Sequence, residues 1–291
     1  MSNDGKVAAI QQLRREVGFG CPICRNPFLT WHHFDPPYHV EKHWRPEGMI
    51  AMCQTCHGAA DAKGGKPGAY STAELRKLKT CYHSPEDMKF RYPAIQRQRK
   101  MLIRVGGNYF DKSSPLVSIG GVPQISITVN EEGLFDLSLE LRNKDDDVLL
   151  KIENNWLITY PDHIYDMTAE PKTNDVKIWL NKVDVGLEFS FRRVSMTDLE
   201  SMLDKDWKRS EDRMRRLIPV IHSNQTNNLG ERIKKWVINN DVVDRDGYIP
   251  LLNIENMSLY RNGMKHVIKD GISDTLYYNF FHDLVGGAVN L

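Results

Sequence analysis

Four of the chain's five cysteines fall within one short stretch, CPICRNPFLTWHHFDPPYHVEKHWRPEGMIAMCQTCH, Cys21 to His57. They form two Cys-x-x-Cys pairs, Cys21/Cys24 and Cys53/Cys56, separated by 28 residues. Each tight turn can aim two sulfurs at one ion, and two such turns complete a closed tetrahedral site for Zn²⁺. No other feature constrains the fold as much. A closed site of this kind supplies on the order of 10 kcal/mol of folding free energy, enough to organise a loop-rich segment with little core of its own. The alternative, four core or redox thiols, does not account for the double spacing. Cys81 has no partner in the sequence and reads as a small buried apolar residue.

Closely paired cysteines more often hold metal than form disulfides in a reducing compartment. The N-terminus, MSNDGKVAAIQQLRREVGFG, fits that setting, since it lacks a signal-peptide apolar core and reads as an amphipathic helix. No apolar run approaches the roughly 20 residues that span a bilayer. The expectation is a cytoplasmic protein without a membrane partner. With 291 residues and 41% hydrophobic content there is material for two domains, or for one and a large extension.

The net charge of +1 conceals an asymmetry. Residues 1–105 carry 17 Lys and Arg against 9 Asp and Glu, whereas residues 106–195 carry 9 against 15. Only the first third is suited to face a polyanion. Arg14, Arg15, Lys63 and Lys66 flank the cysteine region, and Arg97, Arg99, Lys100 and Arg104 fall at helix-like positions. Each is a candidate phosphate contact, with a solvated helix face as the alternative.

Hydrophobic periodicity divides the chain into three. In residues 1–105, Ser71 with Glu74 predicts a capping box opening a helix at AELRKLK, and Ser84 and the segment after Tyr92 suggest two more helices. The loop GGKPG (64–68) separates these from the cysteine region. From about Val105 the runs ISITV, LFDLSLELR, VLLKI, WLITY, VKIWLNK and LEFSFRR alternate with period two. They predict an all-β unit, either a sandwich or a short β-helix-like stack. From Met196 the period returns to helical, with a start at Thr197 and Glu200, a linker over 223–228, a helix at LGERIKKWVINN, a turn at 244–249 and a further helix after Tyr260. Trp31, Trp156 and Trp179 are expected in cores.

Zinc on the cysteines leaves the histidines unused, and six of the ten lie in the first third. His32 and His33 close a β-like run, Phe28 to Trp31, where neighbours point to opposite sides and so have different tasks. MIAMC (49–53) reads as a second strand, with His57 on the first turns of a following helix. CPIC, then WHHFDPP, then PEGMIAMCQTCH resembles the HNH (ββα-metal) endonuclease family in its zinc-stapled form, over about residues 18–62.

The resemblance implies several roles. His33 is the general base, His32 and His57 hold a catalytic divalent ion (Mg²⁺, Mn²⁺ or another), and Cys21, Cys24, Cys53 and Cys56 hold the structural zinc. Where the family usually has an Asn before the second strand, this chain has Gly48, and His43 is the candidate replacement as loop organiser or third ligand. Asp35 is placed to hydrogen-bond a ring N–H, or simply to form an Asp-Pro-Pro turn, while His39 reads as a loop residue and His83 as one at a helix start. Phosphodiester hydrolysis suits these residue types: a neutral imidazole deprotonates water near pH 7, and a divalent ion offsets the developing charge.

The expected architecture is therefore α+β: an HNH (ββα-metal) zinc-containing domain with flanking helices (1–105), a central all-β domain (106–195) and a helical C-terminal region (196–291). The expected function is metal-dependent cleavage of DNA, in prokaryotic defence or a mobile element by family analogy. A non-catalytic zinc ribbon that binds nucleic acid or protein, and a nuclease acting on RNA, are the alternatives. Beyond the motif there is no Gly-rich phosphate loop. The β and helical parts suit a sensing module for a regulatory protein or ligand, or an oligomerisation scaffold. A homodimer would place two nicking sites on opposite strands.

Overall fold

The computed structural model describes residues 3–61, 68–80, 89–91, 99–106, 108–110, 116–119, 122–217, 229–261, 264–269, 272–273 and 289–290. The expected helix starts at Ser84 and after Tyr92, Cys81, His83, Lys63, Lys66, Arg97, most of the 64–68 loop and the 223–228 linker lie outside them.

The N-terminal module consists of helix α1 (Asn3–Glu16), strand β1 (Leu29–His33), strand β2 (Met49–Cys53), helix α2 (Gln54–Ala60) and helix α3 (Thr72–Leu78). β1 and β2 pair antiparallel with His32 opposite Ile50 and His33 opposite Met49. All five residues of β2 are buried, because α1 packs on this hairpin and α2 contacts both of its strands. Leu13 and Val17 of the α1 segment meet Met49–Met52, Ala60 and Leu75 in one small core. Ser71 and Glu74 close the expected capping box on α3. Helix α1 ends in paired bonds from Phe19 N–H to Arg14 O and from Gly18 N–H to Arg15 O, with Gly18 at φ +64°. That backbone conformation is the one glycine adopts at least cost.

The remaining strands are β3 (Phe90–Arg91), β4 (Leu102–Val105), β5 (Asn108–Phe110), β6 (Val117–Ile119), β7 (Val122–Val129), β8 (Phe135–Arg142), β9 (Val148–Glu153), β10 (Trp156–Thr159), β11 (Asp166–Glu170), β12 (Asp175–Trp179), β13 (Val185–Val194), β14 (Ile249–Arg261), β15 (Met264–Lys269), β16 (Ile272–Ser273) and β17 (Val289–Asn290). One sheet runs β17-β6-β7-β8-β9-β10-β3 and the other β11-β12-β13-β14-β15-β16, with β4 joining β14 in parallel and carrying β5. β8 shows why the alternation was readable: every second residue from Phe135 to Leu141 is buried. Buried residues of both sheets merge in one apolar core, among them Leu137, Leu139, Leu141, Leu187, Leu252 and Ile254. This is the sandwich, not the stack. Trp31, Trp156 and Trp179 are each only partly buried.

Three expectations are corrected. The C-terminal region is not wholly helical: α4 (Met196–Leu217) and α5 (Leu229–Asn239) form, but residues 249–261 and 264–269 are strands. β14 is central, with β13 on one edge and both β4 and β15 on the other. Helix α4 is capped two residues earlier than expected, where Ser195 Oγ accepts from Asp198 N–H at 3.1 Å and Asp198 accepts from Ser195 N–H at 3.2 Å. Arg104 belongs to no helical stripe. It sits buried on β4 and donates to both carboxylate oxygens of Asp206 on α4, at 2.7 and 2.6 Å, and to Asn253 at 2.7 Å. A buried ion pair is tolerated when its remaining sites are hydrogen-bonded, and Tyr109 Oη supplies Asp206 with a further donor at 2.8 Å. Burial beside that carboxylate pushes the Tyr109 phenol well up, so it remains a donor. Among the described residues no helix is long and apolar enough to cross a membrane.

Candidate metal centre

The four cysteines converge. The first turn is closed by bonds from Cys21 N–H to Asn26 O at 2.9 Å and from Arg25 N–H to Cys21 O at 2.8 Å. The second sits where β2 passes into α2: Cys53 caps the helix, its sulfur accepting from Cys56 N–H at 3.5 Å. Across the two turns, Cys24 Sγ lies 3.5 Å from Cys53 Sγ and 3.8 Å from Cys56 Sγ. Four sulfurs at about 2.3 Å from one tetrahedral ion stand about 3.8 Å apart, so the spacing fits. Burial, with the neighbouring thiols, pushes Cys24 up to about 11 and Cys56 higher still. Cys53 moves the other way: burial opposes the shift, but the hydrogen bonds it accepts from Cys56 N–H and the adjacent thiols prevail. The cluster could hold a metal ion such as zinc.

A second group forms one helical turn further along α2. His32, His57 and Asp61 each bring a ligand atom within 4.8 Å of the others. Asp61 Oδ1 lies 3.2 Å from His32 Nδ1 and 3.7 Å from His57 Nε2, and the two rings stand 5.0 Å apart. Nitrogen and oxygen ligands at about 2.0–2.2 Å from one ion require separations of this size. Burial lowers the His32 pKa, helped by His57 and opposed by Asp61, which keeps its lone pair available for a cation at neutral pH. Asp61 escaped the sequence reading. The signal was there, in the i, i+4 spacing from His57 that brings both residues to one helix face.

His33 turns elsewhere. Its Nε2 donates to the backbone carbonyl of His43 at 2.9 Å, and its ring lies 5.0 Å from the His43 ring and 4.9 Å from that of Tyr38. Burial lowers its pKa, His43's carbonyl raises it, and the charges of His43 and His57 lower it further. His33 is therefore a neutral imidazole with its proton on Nε2, within electrostatic reach of the His57 group.

His43 is buried, with both ring nitrogens occupied: Nε2 donates to Pro36 O at 3.0 Å, and Nδ1 accepts from Arg45 N–H at 3.1 Å. It pins the loop between the strands and has no lone pair left for a metal. Gly48 has no room for the family's Asn, since a Cβ there would stand 1.7 Å from Asp35 O. Gly48→Ala is expected to cost about 1–3 kcal/mol or more through overpacking, read as a lowered chemical-denaturation midpoint. Unchanged stability would mean that the loop yields freely.

Asp35 pairs with Arg76 rather than with a ring N–H, and His39 is an exposed loop residue. Arg14 and Arg15 are engaged within the chain, Arg14 partly buried and Arg15 exposed. Arg14 grips the Asp166 carboxylate, with Nε 2.9 Å from Oδ1, and Arg15 donates to Tyr165 O at 2.5 Å. Lys42, Arg76 and Lys77 remain exposed around the module, as do Arg99 and Lys100 further along.

Set against family models, curated proteins and solved structures, the chain matches none of them. What it does has to be read from these two groups and from His33.

Proposed function

We propose that the chain is a metal-dependent endonuclease of the HNH type that hydrolyses DNA phosphodiester bonds, with zinc on the four thiols as a staple. The observation that carries this reading is the bond from His33 Nε2–H to the His43 carbonyl. It fixes an imidazole of lowered pKa in a single tautomer, one residue along β1 from His32 of the metal-ligand group and within electrostatic reach of His57. A structural histidine needs no such neighbour. A general base next to a cation site does.

In this mechanism His33 takes a proton from the attacking water at Nδ1, the nitrogen left free, and the His43 carbonyl stabilises the resulting imidazolium through Nε2–H. His32, His57 and Asp61 would hold the divalent ion, whose chemistry when bound is to offset charge on the scissile phosphate and the leaving oxygen. The imidazole of His43 takes no proton; bonded at both nitrogens, it holds its own carbonyl in line with His33. The excess of basic over acidic residues in the first third favours a polyanionic substrate.

The test is cleavage of supercoiled plasmid and of single-stranded RNA with Mn²⁺ or Mg²⁺, against EDTA. Metal-dependent nicking of the plasmid is expected. Cleavage confined to RNA would move the substrate assignment, and inert protein carrying both ions would leave a zinc-ribbon binding module.

A further inference from the structure

Thr30 lies two residues before His32, on the same face of β1, and its side chain meets α2. Its hydroxyl stands 3.0 Å from Met52 O and 2.9 Å from His57 Nδ1. A hydroxyl has one proton and two lone pairs, and a carbonyl can only accept. The Thr30 proton therefore goes to Met52 O, and the Thr30 oxygen must accept from His57 Nδ1–H. That places the His57 lone pair on Nε2, the nitrogen turned toward Asp61. Were Thr30 to donate to His57 instead, the ring proton would sit on Nε2 and close the site to a cation.

Asp61 Oδ1, an acceptor that would favour a proton on Nε2, stands 3.7 Å away, beyond hydrogen-bond distance, so the shorter Thr30 contact decides the tautomer. The arrangement is also stiff. Thr30 and Met52 are register partners across the β1/β2 pair, and a β-branched side chain in a strand has little χ1 freedom. We propose that Thr30 is a positioning residue, which makes His57 a metal ligand by holding its Nδ1 proton. The proposal rests on the metal reading of His32, His57 and Asp61, to which it adds the group that sets the ligand's tautomer. Partners of this kind, acting on the far nitrogen of a ligand histidine, typically contribute 10–100-fold to metal affinity.

The experiment is Mn²⁺ titration of the zinc-loaded full chain, free Mn²⁺ being followed by electron paramagnetic resonance, with no nucleic acid present. Wild type is compared with Thr30→Val, Thr30→Ser and His57→Ala. Thr30→Val keeps the shape but removes the acceptor, and about 10–100-fold weaker Mn²⁺ binding is expected with zinc content and melting temperature near those of wild type. Thr30→Ser keeps the acceptor and should recover most of the affinity, a rescue that a packing role of the Thr30 methyl would not produce. Heteronuclear NMR of the ring nitrogens should show the Nδ1–H form of His57 in wild type and a mixture in Thr30→Val. Wild-type affinity in Thr30→Val, with His57→Ala impaired, would overturn the role of Thr30 alone. Mn²⁺ binding that is absent from wild type, or that survives His57→Ala, would overturn the metal reading and this proposal with it.

Discussion

Withdrawing zinc from the four thiols, by chelation or by Cys24→Ser, is expected to unfold the hairpin and α2 while the β sandwich stays folded. A closed zinc site supplies roughly 10 kcal/mol, and a whole domain is commonly stable by only about 5–15 kcal/mol. The module's own core is a handful of side chains around β2, too few to make up that difference. Hydrogen exchange at the Met49–Cys53 amides reads the outcome: slow with zinc, fast without it. Because Cys53 caps the helix that carries His57 and Asp61, Mn²⁺ binding should disappear in the same sample. Protected β2 amides in metal-free protein would show that the module folds without its staple.

His33→Ala is expected to lower plasmid cleavage by about 10²–10⁴-fold, the usual contribution of a positioned general base. Zinc content, Mn²⁺ affinity and melting temperature should stay near wild type, because His33 is only partly buried and belongs to neither ligand group. Cleavage at the wild-type rate would remove His33 from the chemistry and leave the His43 carbonyl bond a packing detail.

The legible parts of the fold were those with a local period or cap. β8 and β12 announced themselves because each has one face in the core and one outside. β14 did not: Ile249 to Ile254 are all buried, so alternation vanished. β4, only four residues long and directly after a basic run, looked like the end of a helix. At the site, the cysteines, His32, His33 and His57 were marked by spacing. Asp61 and Thr30 were not, since each looks ordinary alone and gains a role only when α2 lies against β1. Gly48 looked like a lost Asn; only the approach of the Asp35 carbonyl explains it.

Helix α1 and the turn that ends it have a foot in each half of the molecule. Leu13 sits in the hairpin's core and Phe19 in that of the sandwich, while Gln11, Arg14 and Arg15 hold the Ile164–Asp166 segment. Such a bracket ties the hairpin module to the sandwich at several points. Under the proposed nuclease reading, each copy presents one site in a fixed orientation, and a break through both strands of a duplex would call for two copies.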